Sequence, residues 1–474
     1  MNFEAVIGLE IHVEMKTKSK MFSLAPVSSM DVANTSVTLL DMAFPGTMPR
    51  VNKQAVINAI RVSNVLHMDI DNELWFDRKN YFYSDLPKGY QITQQNRPIG
   101  KEGYIEIETS SGTRKIHIER LHMEEDTCKQ LHLSTYTLLD YNRAGVPLIE
   151  IVSKPELRSG EEARKYLEKM RDIVTFTGVS DGKMENGSMR CDVNVSIRPY
   201  GSDKLGTKVE VKNLNSFMHV ENAINFEIKR QSELLLSGHQ VQQETRRYDE
   251  AKKETILMRV KTDAVDYKYF TEPNIPPIKL SDSFIKNAID TCPELAEHKF
   301  NRFTKEYGIN PIDANILLTS VDLAEYFEKV IEYSKHYQAV ANMIISNVLG
   351  HLNKLALEIK DFKVEPKYIA ELVELLENKE INSSQGKQIF DEVIKENKSP
   401  KYFKEKLGAT LINDENEILK MVQDVIKANP SLPSDFKAGK TRAQGFVMGQ
   451  IMKATHGKVD PTVANKIIIN ELKK

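Results

Sequence analysis

Val6-Ile7-Gly8-Leu9-Glu10-Ile11-His12-Val13-Glu14-Met15 alternates residue by residue. On a strand, Ile7, Leu9, Ile11, Val13 and Met15 face one way, and Gly8, Glu10, His12 and Glu14 the other. Residues 192–197 repeat the pattern, with Val193, Val195 and Ile197 opposite Asp192, Asn194 and Ser196. In residues 207–212, Val209 and Val211 oppose Lys208, Glu210 and Lys212. Period-two alternation of this kind predicts half-buried antiparallel strands, with one face on a core and the other polar.

Two helices interrupt these strands. Residues 160–177 carry the apolar stripe Ala163, Tyr166, Leu167, Met170, Ile173 and Val174. Ser159 and Glu162 stand at capping-box spacing, and Gly178 sits where a helix stops. A second helix is predicted over 216–237, from Ser216 to Gly238. At Thr271-Glu272-Pro273-Asn274-Ile275-Pro276-Pro277 the prolines disfavour helix, and beyond them the chain turns helical and lysine-rich. The expected class is therefore α+β. A sheet-based domain over 1–283 precedes an all-helical domain over 284–405 and a small helical tail domain over 406–474.

Composition narrows the function classes. A formal net charge of −2 argues against a generally basic nucleic-acid coat but leaves room for local basic patches. Cys128, Cys191 and Cys292 are far apart and match no metal or redox spacing, so a reducing, cytoplasmic setting is expected. The start of the chain lacks a basic stretch followed by an apolar core, and no apolar run approaches the roughly 20 residues of a membrane helix. No membrane association is expected.

Several clusters carry candidate chemistry. Glu10, His12 and Glu14 would share one strand face about 7 Å apart at each step, as metal ligands or as a solvated edge. Glu124-Glu125-Asp126 would raise one another's pKa in a shared pocket unless a cation sat among them, which suits Mg²⁺; a surface acidic turn is the alternative. Asp77-Arg78-Lys79-Asn80-Tyr81 through Lys88 interleaves cations and aromatics, as a nucleotide or nucleic-acid end requires, or forms an ordinary loop. Arg190 and Asp192 share a face as a strand begins, and Glu210 stands between Lys208 and Lys212 just before a helix N-terminus. Either could be a structural ion-pair ladder. Gly439-Lys440-Thr441 imitates the end of a phosphate-binding loop, but Ser434 stands where that loop needs glycine.

Taken together, the chain resembles the B subunits of the bacterial and organellar Asp/Glu-tRNA amidotransferases. The resemblance rests on Ile7 through Glu14, Phe76 through Tyr83, Arg120 through Asp126, Asp140 through Glu150, Gly187 through Asn194, Glu210 through Ser216, Gln243 through Arg247 and Gly445 through Lys453. These motifs stand in the family's order along essentially the whole chain.

The resemblance implies a cradle built on an antiparallel sheet, a helical domain and a tail. It implies a glutaminase partner of the amidase-signature type, a small bridging subunit, and a channel delivering ammonia. It also implies that ATP phosphorylates the side-chain carboxylate of mischarged Glu-tRNA(Gln) or Asp-tRNA(Asn), after which ammonia displaces the phosphate. On that reading Glu10, His12, Glu125 and Glu210 hold Mg²⁺, with Glu124 and Asp192 in reserve. Lys79 and Arg190 stabilise phosphoryl charge, and Glu125 also takes a proton from ammonium. Arg78, Lys79, Tyr81, Lys88, Lys208 and Asn213 contact ATP or substrate, and Lys440, Arg442 and Lys453 grip tRNA phosphates. Many relatives carry zinc-binding cysteines between the first strand and the Pro45-Gly46 turn; this segment has none, so no structural zinc is expected. Two rival readings are a metal-dependent RNA phosphodiesterase and a non-catalytic tRNA-binding scaffold.

Overall fold

In the computed structural model the alternating stretch Phe3–Glu14 (β1) is an inner strand of a nine-stranded sheet. The structure describes residues 2–28, 31–260, 266–409, 412, 414–437, 442–455 and 458–473. The other strands of the sheet are Asp69–Ile70 (β2), Gly100–Thr109 (β3), Gly112–Glu125 (β4) and Pro147–Ser153 (β5). They are followed by Met189–Pro199 (β6), Val209–Lys212 (β7), Glu244–Asp249 (β8) and Glu254–Val260 (β9). Their order across the sheet is β9-β8-β7-β6-β1-β5-β4-β3-β2.

One face of β1 is fully apolar: Ile7, Ile11 and Val13 are completely buried, with Val193, Val195, Ile149, Ile151 and Leu121 beside them. Helices Lys53–Val65 (α1), Gly160–Phe176 (α2) and Phe217–Leu236 (α3) contribute Val62, Tyr166, Leu167, Met170 and Ile224 to the same core. Each such aliphatic side chain contributes about 1.5–3 kcal/mol by leaving water. That burial fixes the register, because a slip of one residue would send the polar set into the core.

Both predicted helices form, and their caps explain where they start and stop. Ser159 Oγ accepts from the Glu162 N–H at 3.1 Å, and Ser216 Oγ from the His219 N–H at 3.1 Å. Gly178 and Gly238 follow the C-caps with φ of +72° and +80°, a region that favours glycine. The capping box expected at Glu162 does not close. Its carboxylate instead accepts from Arg114 Nη1 at 2.6 Å and from the Arg158 N–H at 2.8 Å.

The sheet also departs from the all-antiparallel expectation at one place. β7 and β8 pair in parallel, Glu210 opposite Thr245 and Lys212 opposite Arg247. The cause is α3, which spans the connection and returns the chain to the same end of the sheet, as a parallel neighbour requires. The class remains α+β.

A three-stranded sheet of Phe270–Thr271, Asp77–Asn80 and Tyr90–Thr93 packs at the end of β4. Gln94 Oε1 accepts from the Met123 N–H at 3.0 Å, and Gln91 Nε2 donates to the Glu125 carbonyl at 2.7 Å.

The chain divides into two units, Met1–Ala296 and Glu297–Lys474. The second is helical among the described residues apart from an Ile412–Val459 bridge, and it holds two separate cores. One includes Phe303, Phe327, Ile344, Leu372 and Phe403; the other includes Ile418, Val422, Val447, Ile451 and Ile468. No described helix is long and apolar enough to cross a membrane.

Candidate functional site

The polar face of the sheet gathers its charges by register. His12 lies opposite Glu150 on one side and Arg190 on the other, and Glu150 lies opposite His122. Directly opposed residues in an antiparallel pair share a face. His12, Glu150, His122 and Arg190 therefore form one row, and Glu124, two residues from His122, stands on the same face.

Within this row, His12 Nε2 is 3.4 Å from Glu150 and 3.7 Å from Glu124, and His122 Nε2 is 3.2 Å and 3.7 Å from the same two carboxylates. One ligand atom from each of His12, Glu124 and Glu150 lies within 4.8 Å of the others, which makes this the candidate metal group among the described residues. Burial would pull both imidazoles down, but Glu150 and Glu124 outweigh it, raising His12 and pushing His122 up to about 9. Burial would likewise raise Glu150, yet His122 and His12 hold it well below the carboxylate range. The cluster is thus a pair of anions balanced by imidazolium charge.

Two carboxylates are what Mg²⁺ uses, completing its shell with water and phosphate oxygens. Carboxylate oxygens suit Mn²⁺ as well. The donors fit a divalent cation, provided His12 gives up a proton when the cation binds. His122 Nδ1 is buried without a hydrogen-bond partner, so this ring is not tied down from behind.

Further along the face, Glu10 lies opposite Asp192 and accepts from Asn194 Nδ2 at 2.9 Å. Burial, then Glu150 and Asp192, raises its pKa. Lys212 Nζ bridges Asp192 at 2.5 Å and Glu210 at 3.1 Å. Glu10, Asp192 and Glu210 are therefore a second acidic group, adjacent to the first and neutralised in part by Lys212.

The three consecutive acids 124–126 do not share one pocket. Glu124 joins the histidines. Glu125, on the other side of the strand, stands apart from them: it pairs with Lys88 Nζ at 2.5 Å and accepts from the Ile92 N–H at 3.0 Å. Asp126 is buried against Arg190 and lies 3.4 Å from Arg143. Each acid thus has a cation of its own, and the expected mutual repulsion is avoided. Glu125 and Lys88 line a small cavity with Asp41, Asp85, Asp126 and Gly145.

The remaining candidates sort by what they touch. Lys79 Nζ lies over the Tyr267 ring at 4.8 Å and the Tyr81 ring at 5.9 Å. Burial would lower its pKa, but Glu124, Tyr269 and Glu150 hold it raised. Arg78 is committed elsewhere: it forms a two-pronged pair with the buried Glu272, at 2.5 and 3.1 Å, and stacks on Tyr90 at 4.0 Å. Arg190, expected to stabilise phosphoryl charge or to stand in an ion-pair ladder, is engaged by Asp126 and lies 3.6 Å from Glu14. Lys208 and Asn213 are exposed at the two ends of β7, Asn213 with φ of +61°. Arg442 and Lys453 are exposed at opposite ends of the helix Arg442–Ala454, and their spacing puts them on nearly one face. Lys440 lies outside the described residues.

Sequence reasoning missed Glu150 and His122. His122 is two residues from Glu124 in a strand, a spacing that marks a shared face. Glu150 stands between the buried Ile149 and Ile151, so alternation alone pointed it away from the core.

Comparison with known families agrees with this architecture. Residues 5–286 match the GatB/GatE catalytic domain, and residues 325–472 match the GatB domain. The B subunit of the aspartyl/glutamyl-tRNA(Asn/Gln) amidotransferase of Mycoplasma capricolum subsp. capricolum is 49% identical over 475 residues, covering 100% of this chain and 99% of the relative. Its counterparts in Mesoplasma florum and Staphylococcus carnosus are 47% and 46% identical, covering 99% and 100% of this chain and 98% and 100% of theirs. With both domains matched and near-half identity from end to end, the chain belongs to the B subunits of the aspartyl/glutamyl-tRNA(Asn/Gln) amidotransferases, a family of ligase components.

Proposed function

We propose that the polar face of the sheet phosphorylates the side-chain carboxylate of mischarged Glu-tRNA(Gln) or Asp-tRNA(Asn) with ATP, and that ammonia then displaces the phosphate. The observation that carries this reading is the His12, Glu124 and Glu150 cluster with Lys79 beside it. Phosphoryl transfer asks the protein mainly for positioning and for neutralising charge on the moving group.

In the first step a carboxylate oxygen attacks the γ-phosphorus, the bond to the bridging oxygen breaks and ADP leaves. A divalent cation on the cluster would neutralise phosphate oxygens. Lys79, charged and held over two rings, faces the same charge without itself being spent on a carboxylate among the described residues. In the second step the ammonia nitrogen attacks the acyl carbon, the carbonyl–phosphate bond breaks, and a proton leaves the nitrogen. Glu125 is the candidate acceptor for a proton from ammonium. Its partner Lys88 holds the carboxylate in place, in a cavity that a small polar molecule could enter. The ammonia source is a glutaminase of the amidase-signature type, joined to this chain by a small bridging protein. Arg442 and Lys453, which are exposed, would meet tRNA phosphates.

The acyl-phosphate intermediate has a chemical signature. Glu-tRNA labelled with ¹⁸O in the side-chain carboxylate should hand one labelled oxygen to inorganic phosphate during amidation. Label found in AMP would replace phosphorylation by adenylation. RNA cleavage without ATP would favour the phosphodiesterase, and unchanged amidation in Glu125→Ala would favour a scaffold.

A further inference from the structure

Arg120 lies on the polar face of β4, two residues from His122, opposite Val152 on one side and Lys101 on the other. Its neighbours across the sheet are thus a valine and a lysine, and the register gives it no carboxylate. Its Nη1 reaches Gln95 Oε1 at 3.4 Å, and among the described residues it forms no ion pair. Its Nε is buried with no hydrogen-bond partner. A buried guanidinium donor left unmatched is rare in folded proteins, and it marks either strain or a missing acceptor.

The surroundings say which acceptor is missing. Tyr269, raised chiefly by burial, is held back by the charges of both Lys79 and Arg120 and pushed further by Glu150. Geometry joins the two cations as well: Lys79 lies opposite Gln91 on the strand Tyr90–Thr93, and Gln95, just beyond that strand, is the residue Arg120 reaches. Lys79 likewise pairs with no carboxylate among the described residues. Arginine presents a planar fork suited to two oxygens of one phosphate, and lysine a point charge suited to a third.

We propose that Arg120 is a further phosphate-binding residue of this site, clamping with Lys79 the oxygens of the phosphoryl group as it passes from ATP to the side-chain carboxylate. The inference rests on the kinase reading above. Nothing but the phosphoryl group moves in this step: its bond to ADP breaks as the bond to the carboxylate oxygen forms, and the guanidinium neither gains nor loses a proton.

The test uses the whole amidotransferase complex with Mg²⁺, ATP and mischarged Glu-tRNA, and follows ADP formation in wild type, Arg120→Ala and Arg120→Lys. Arg120→Ala should lower kcat about 100-fold, the scale for one donor to developing oxyanion charge, with the KM for ATP changed less than about threefold. Arg120→Lys restores charge but not the fork, and should stay about tenfold below wild type. A merely structural arginine would lower the melting temperature and leave the kcat of the folded fraction unchanged. If Arg120→Ala does not fold, Arg120→Lys decides: turnover within about threefold of wild type overturns the proposal, and a tenfold loss supports it. Wild type forming no ADP would instead sink the kinase reading, and the proposal with it. Wild type forming ADP while both variants keep their kcat would overturn the proposal alone.

Discussion

Glu150 touches both histidines, at 3.4 Å and 3.2 Å, and is the carboxylate that joins His12 to His122. Glu150→Gln keeps the shape and removes the charge. It should weaken Mn²⁺ or Mg²⁺ binding by at least about 10- to 100-fold, the range seen when even supporting residues of metal sites are lost, as read by calorimetry. Unchanged affinity would place the cation elsewhere. His12 adds a pH dependence of definite sign. Its carboxylate neighbours raise its pKa, and only the neutral ring can ligate, so cation affinity should climb as pH rises through and beyond the ordinary histidine range. Binding that is flat with pH would remove His12 from the ligand set. His12 was legible in the sequence because it lies in an alternating strand whose polar face had to go somewhere, and Glu124 stood out only as one of three consecutive acids. Glu150 was not, because only the pairing of β1 with β5 brings it to His12, and one sequence does not state that register.

Elements were read best where they carry their own punctuation. The serine caps and terminal glycines of α2 and α3 are local chemistry, so both helices appear where the residues put them. The parallel pairing of β7 with β8 depends on where α3 lets the chain return, which is a tertiary matter. Two predictions belong at this scale. A Cβ on Gly103 would stand 2.5 Å from the Leu66 carbonyl oxygen, where β3 crosses the end of α1. Gly103→Ala should therefore cost about 1–3 kcal/mol, seen as a lower denaturation midpoint of the N-terminal unit. On α3, the fully buried Glu227 accepts from Arg230 at 2.8 Å and Gln231 at 3.0 Å, and also from Thr255, with Arg246 at 3.3 Å. Glu227→Ala would leave those cations facing a cavity, at a cost of about 3 kcal/mol. Burial would raise this carboxyl, but Arg230 and Thr255 hold its pKa below the unfolded value. Its stabilisation is therefore complete above the ordinary carboxylate range and fades as acid takes the pH below it. A variant as stable as wild type at neutral pH would contradict this account.

At the scale of the whole molecule, the proposed function puts chemistry and tRNA grip in different units. The proposed phosphoryl site lies within Met1–Ala296, and Arg442 and Lys453 lie in Glu297–Lys474. Replacing both Arg442 and Lys453 by Glu should weaken tRNA binding and lower its salt dependence by about one unit of slope per lost phosphate contact, while cation binding stays unchanged. An unaltered slope would clear these residues of any role in tRNA binding. The order of sheet-rich and helical regions was visible from the switch in periodicity near the prolines of 273–277. The proposed division of labour was not, because it depends on which surfaces meet the substrate. The most direct test is ADP formation by the assembled complex with Mg²⁺, ATP and ammonium, with and without mischarged Glu-tRNA, for wild type and Glu150→Gln. ADP that appears only with the charged tRNA, and falls at least about 100-fold in Glu150→Gln, is the expected result. ADP formation indifferent to the tRNA or to Glu150 would mean that the cluster on the sheet is not where the carboxylate is activated.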